Sequence, residues 1–106
     1  MSSKRGSCAV PLLDLNDPEF QADLFALPRD QQVAVLKTLR KLSKITWDDV
    51  YRDQGLKWEL VVSRRGEERE RLYSLRITRG FRALAYREGE YLRLVSLHPD
   101  HDSAYR

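Results

Sequence analysis

The hydrophobic period of this chain changes once, near residue 56, and that change limits the folds open to it. Before it, apolar residues recur at helical spacing: Phe20, Leu24 and Leu27, then Val33, Leu36, Leu39 and Leu42. After it they alternate, as on a pleated strand. Residues 57–63 (KWELVVS) begin the pattern. Residues 71–79 set Tyr73, Leu75 and Ile77 against Ser74, Arg76 and Thr78, and Phe81, Ala83 and Ala85 share a face opposite Arg82, Leu84 and Tyr86. Residues 91–97 (YLRLVSL) end it. Helical spacing followed by two-residue spacing predicts an α+β fold, an N-terminal helical hairpin packed on an antiparallel, mostly meander sheet. At 106 residues the chain supports one core. We read residues 1–7 as a disordered tail and 8–106 as a single domain.

Local signals mark where elements start and stop. Asp17-Pro18 suits an N-cap followed by proline at the first helical position. Pro28 interrupts, and Asp30 is expected to cap a second helix running to about residue 44, with Lys37, Arg40, Lys41 and Lys44 on its polar face. So short a break predicts an antiparallel pair of helices. Residues 9–13 (AVPLL) suit a short strand, which Pro11 confines to a sheet edge. Residues 46–55 suit a turn or short helical piece closed by Gly55. Residues 64–70 (RRGEERE) form a charged hairpin loop, Gly80 marks a turn or bulge, and residues 88–90 a tight turn.

Charge is uneven along the chain. Residues 1–56 balance eight Lys or Arg against eight Asp or Glu, whereas 57–106 hold eleven against eight. Within 71–93 every cation is an arginine: Arg71, Arg76, Arg79, Arg82, Arg87 and Arg93, against Glu88 and Glu90. The planar guanidinium fork suits phosphate better than a point charge does. Arg76 and Arg82 occupy positions the apolar residues avoid, and a hairpin can set them side by side to hold a phosphate. Their competing role is exposed pairing with Glu59 and its neighbours. Both histidines, His98 and His101, fall in the tail HPDHDSAYR with Asp100, Asp102 and Tyr105. Imidazole suits proton transfer at neutral pH. Three readings of the tail stay open: acid/base residues beside a phosphate site, a metal site, and a hydrogen-bonded strap on the sheet edge. Trp47 and Trp58 read as core or core rim, and Tyr86 and Tyr91 as cross-strand packing or base-stacking platforms.

Other classes are set aside. Cys8 is the only cysteine, so neither an internal disulfide nor a zinc spacing is available. No apolar run nears the ~20 residues that span a bilayer, so no membrane partner is expected. The start has no apolar stretch typical of a signal peptide, which makes the cytoplasm the expected location. No phosphate-binding glycine loop or nucleophile elbow is present.

The run YSLRITRGFRALAYREGEYLRLVSLHPDHDSAYR resembles the C-terminal half of RelE/ParE-type toxins of toxin-antitoxin systems. Those read as an Arg-containing strand, a Gly-aromatic-Arg turn, an apolar strand and a tail ending in an aromatic residue. FQADLFALPRDQQVAVLKTLRKL resembles the family's helical hairpin, and WDDVYRDQGLKWEL its lead into the second strand. The resemblance implies a RelE-like fold and a toxin that represses translation by cleaving mRNA on the ribosome, with no metal or cofactor. It implies a cognate antitoxin protein as partner, in a toxin-antitoxin hetero-oligomer. The Gly-aromatic-Arg arginine falls on Arg82, the terminal tyrosine on Tyr105, and Arg76 matches an arginine of some members. Many members carry a basic Gly-His-Arg-like or Gly-Lys-Arg-like segment after the last strand, where this chain has Leu97-His98-Pro99. His98 or His101 would then supply what that segment supplies elsewhere. The expected catalytic set is Arg76, Arg82, His98, His101 and Tyr105, with Lys57, Arg79, Arg87 and Arg93 binding RNA. The base is open among Lys57, Glu59 and His101. Two other functions fit the same resemblance and charge: a ParE-like gyrase inhibitor acting by protein-protein binding, and a non-catalytic RNA-binding domain.

Overall fold

The computed structural model describes residues 9–61 and 71–99. The element order is β1 (Leu12–Asp14), α1 (Pro18–Ala26), α2 (Arg29–Leu42), α3 (Trp47–Arg52), β2 (Glu59–Leu60), β3 (Tyr73–Thr78), β4 (Phe81–Glu88) and β5 (Tyr91–His98). The strands form one sheet in the order β1-β5-β4-β3-β2. β2 through β5 pair antiparallel, and β1 joins the β5 edge in parallel. The chain is therefore an α+β domain with a mostly antiparallel sheet. Among the described residues no helix is long and apolar enough to cross a membrane.

The helices follow their local chemistry, with two corrections. Asp17 caps α1 by accepting from Glu19 N–H at 2.8 Å, and Pro18 occupies the first turn. Leu27 is extended, as a residue before proline tends to be, so α1 stops there. The first correction concerns Asp30, which is not the cap of α2. The Pro28 carbonyl already accepts from Gln31 and Gln32 N–H, both at 3.0 Å, so the helix starts earlier and Asp30 sits in its first turn. The second concerns the buried stripe. Val33 is 44% exposed and Leu36 55%, whereas Val35, Thr38, Leu39 and Leu42 are buried. At 3.6 residues per turn each three-residue step drifts by about 60°, so a strict i+3 series starting at Val33 has rotated half a turn by Leu42. Spacings of three and four together, from Val35, keep one face inward.

All three helices lie on one side of the sheet. Phe20 of α1, the buried stripe of α2, and Trp47 and Val50 of α3 meet Leu75, Phe81, Ala83, Ala85, Leu92, Leu94 and Leu97. The small alanines of β4 leave room for the larger helix side chains. Asp23 reaches from α1 to accept Leu97 N–H at 2.9 Å. That hydrogen bond closes the β5 edge beyond the short reach of β1.

α3 anchors the loops. Thr46 caps it by accepting from Asp49 N–H. Trp47 is fully buried; its backbone N–H donates to Ala9 and its Nε1 to the Glu90 carbonyl. At the other end Asp53 accepts from Gly55 and Leu56 N–H and pairs with Lys41 at 2.9 Å. The Lys41 hydrogen bond is the main cause holding the Asp53 carboxyl below its ordinary value. Asp14 is likewise lowered, first by the Asn16 N–H and then by Arg93.

The strand expected at 57–63 is shorter among the described residues, Glu59–Leu60 alone. Lys57 has φ +46° and leaves the β region, while Leu56 C=O takes Arg76 N–H at 2.7 Å to close the β3 edge. The charged loop at 64–70 lies outside the described residues. Both expected glycine turns form, with Gly80 at φ +80° and Gly89 at φ +63°.

Two predictions follow from this packing. Phe20→Ala removes a fully buried ring from the helix-sheet contact and is expected to cost about 3–5 kcal/mol in urea unfolding; a loss below about 1 kcal/mol would show that α1 docks by other means. Asp14 and Asp53 titrate lower folded than unfolded. The stability they add is complete above about pH 4 and lost as pH falls through their folded values. Asp53→Asn should flatten the acid limb of a stability-pH curve, and an unchanged slope would remove Asp53 from that role.

Candidate functional site: a cationic row across the sheet

The core takes Leu75, Phe81, Ala83 and Leu97, so the pleat turns their neighbours to the face away from the helices. Two registers then align three of the expected site residues. Arg76 of β3 pairs with Arg82 of β4, and Arg82 pairs with His98 of β5. Directly paired residues share a face, so Arg76, Arg82 and His98 form a row one side chain wide across three strands, roughly 10 Å between its outer Cα atoms. Bulges flank the row, between Arg76 and Thr78 on β3 and where Leu84/Ala85 of β4 meet β5. The second resets the parity of β5, so that both Leu94 and Leu97 face the core while Ser96 and His98 turn away.

The row continues toward the β2 edge. Lys57, Glu59, Ser74, Arg76, Thr78 and Arg82 line a cleft of about 140 Å³. Lys57 Nζ lies 3.9 Å from a Glu59 carboxylate oxygen, a loose pair on an exposed surface. Among the described residues neither Arg76 nor Arg82 makes an ion pair. The expected competing role, pairing of these arginines with Glu59, is therefore not formed. Two like charges stand opposite each other with no carboxylate paired to either among the described residues, which costs folding free energy and favours an anion. His98 is exposed at the end of the row, and its Nε2 lies 2.9 Å from Ser96 Oγ. The buried Ser96 hydroxyl fixes the ring while leaving Nδ1 for exchange. Ser96 is absent from the sequence-based candidates; a serine two residues before a histidine on one strand is the signal that finds it.

The remaining candidates separate. Arg79 is exposed in the β3-β4 turn, beside the row. Arg87 is on the helix-side face, its guanidinium 4.2 Å over the Trp47 ring, donating to Tyr51 Oη and Gly89 C=O at 2.7 Å each. Arg93 shares the face of Arg82 but sits at its far end. It is paired with Asp14 and with Glu88, and the Asp14 hydrogen bond is the main cause that raises its pKa. The structure thus brings Lys57, Arg76, Arg82 and His98 together, with Arg79 alongside, and does not bring Arg87 or Arg93 to them. His101 and Tyr105 lie outside the described residues. Among the described residues no group of three His, Cys, Asp or Glu side chains is placed to hold a metal ion. Comparison of the chain with protein-family models, curated proteins and solved structures finds no match.

The arrangement can bind a phosphate between two guanidinium groups and offer it an imidazole from one flank and a carboxylate or amine from the other. Its electrostatic strain is measurable. Replacing Arg82 by Thr, which suits a strand and carries no charge, should raise stability by about 0.5 kcal/mol at low salt. The gain should shrink as salt screens the Arg76-Arg82 repulsion. A destabilised Arg82→Thr protein at every ionic strength would mean that Arg82 is held by contacts, not merely tolerated.

Proposed function

We propose that this chain is a toxin of the RelE/ParE type that represses translation as a ribosome-dependent mRNA endoribonuclease. The observation that carries the reading is the Arg76-Arg82-His98 row, two guanidinium groups without an ion-pair partner among the described residues, beside an oriented imidazole. The helices on one face of a mostly antiparallel sheet, with the exposed row on the other, support this reading.

The reaction needs no group beyond side chains. The RNA 2′-hydroxyl attacks the adjacent phosphorus, forming an O2′–P bond as the P–O5′ bond breaks, and leaves a cyclic phosphate and a 5′-hydroxyl. Arg76 and Arg82 stabilise the extra negative charge on the five-coordinate phosphorus. An in-line displacement wants its base and acid on opposite sides of the phosphate. Glu59, on the β2 flank, takes the 2′-hydroxyl proton, and His98, on the β5 flank, gives a proton to the leaving 5′-oxygen. Lys57 and Arg79 hold neighbouring phosphates. A cognate antitoxin protein neutralises the chain by covering this row.

The test is purified protein with ribosomes programmed with a defined mRNA, read by mapping new 5′ ends. Wild type should cut in frame. Arg82→Ala should slow cutting by about 10²–10³-fold, and His98→Ala by about 10²–10⁴-fold. Intact mRNA with wild-type protein overturns the nuclease reading. Growth arrest with mRNA intact and gyrase-trapped DNA breaks would assign the chain to the gyrase-inhibiting branch instead.

A further inference from the structure

A second cleft lies toward the other end of the sheet, where Tyr51, Tyr73 and Arg87 come from the helix side and Tyr86 from the face that carries the row. It encloses about 590 Å³, within the roughly 300–1,000 Å³ typical of small-molecule sites. Tyr51 of α3, Tyr73 of β3, Tyr86 and Arg87 of β4, and Arg71 line it. We propose that this cleft binds a nucleotide unit, its base against the tyrosine walls and its phosphate on Arg71 and Arg87.

Three observations carry the assignment. The first is aromatic rigidity. The Tyr73 ring stacks on Trp58 at 4.8 Å and 12°, and Tyr51 leans on Trp47 at 5.8 Å and on Trp58 at 6.4 Å. The two tyrosines are walls backed by tryptophans, so a planar ligand meets rings already fixed in place. The second is a fixed cation. Trp47 supports the flat face of Arg87 from below, and the Tyr51 hydroxyl and Gly89 carbonyl orient its fork. Two of its five N–H groups are committed to those bonds, which sets the direction of the others. The third is charge. Arg71 is exposed and, among the described residues, makes no ion pair. The carboxylate at the rim, Glu88, is taken by Arg93 at 2.7 Å. Among the described residues the cleft therefore presents two guanidinium groups to an anion with little opposing charge. Flat aromatic walls and a bidentate cation are together the requirements of a base joined to a phosphate. An acidic peptide would use the arginines and leave the aromatic walls uncovered.

The proposal does not depend on nuclease activity, because the cleft and the row share no residue. The test is isothermal titration of the intact chain with AMP, adenosine, ribose 5-phosphate and a short single-stranded oligoribonucleotide. AMP should bind more tightly than adenosine or ribose 5-phosphate, since each of those lacks one half of the recognised group. Arg71→Ala and Tyr51→Leu should each weaken binding by about tenfold or more, with the circular dichroism spectrum unchanged. Lys44→Ala, which removes an exposed cation outside both sites, should leave AMP affinity unaltered. Tight binding of the oligonucleotide but not of AMP, lost in Arg71→Ala, assigns the cleft to a nucleotide within a strand; tight AMP binding assigns it to a free nucleotide. No binding of either ligand at millimolar concentration overturns the proposal, as does equal binding by wild type and Arg71→Ala.

Discussion

Burial of Trp47 holds the parts of this domain together. Its backbone N–H fixes the segment before β1, and its indole N–H fixes the β4-β5 turn through Glu90. The Glu90 carbonyl also takes Leu12 N–H, so one carbonyl joins the tryptophan, the turn and the edge strand. The ring meets Trp58 edge-on and carries the Arg87 guanidinium above it. Apart from the Trp58 contact, these join residues at least 38 positions apart, and each supports the others. Without them the parallel pairing of β1 with β5 would rest on three residues, too few to hold alone.

The same sheet serves two purposes on its two faces. Alanines at 83 and 85 let helices approach one face closely, where burial supplies the stability. The opposite face carries Arg76 against Arg82, a pairing that opposes folding. An anion held between the two forks would relieve that conflict. The bulges belong to this arrangement. Without the shift where β4 meets β5, the core could not hold both Leu94 and Leu97 while His98 stayed beside Arg82.

Lys57 shows how the loop architecture reaches the row. Asp53 gathers Gly55 N–H, Leu56 N–H and the Lys41 ammonium, and the chain then turns through a left-handed Lys57. That backbone conformation costs of order 1 kcal/mol for a residue with a side chain. It places Lys57 on the cleft lined by Arg76 and Arg82.

Much of the fold was legible in the residues, because periodicity and turn chemistry act locally. The change of spacing near residue 56 separates helices from strands, Asp17-Pro18 starts α1, and Gly80 and Gly89 make the turns; the short edge strand expected at 9–13 instead spans Leu12–Asp14, after Pro11. Alternation places Arg76 and Arg82 away from the core. The sequence could not place the buried stripe of α2, since an i+3 series and a mixed i+3, i+4 series both occur there and only docking on the sheet selects between them. Nor could it show that β1 runs parallel to β5, that Ser96 holds His98, or that Arg87 and Arg93 are bound elsewhere. Those features depend on register across strands and on contacts distant in sequence. By itself the sequence determined which residues of β3 and β4 face the core, because the pleat alternates there; tertiary structure alone decided the parity of β5 past its bulge and which exposed residues stand together, because register is set by the packing of the whole sheet.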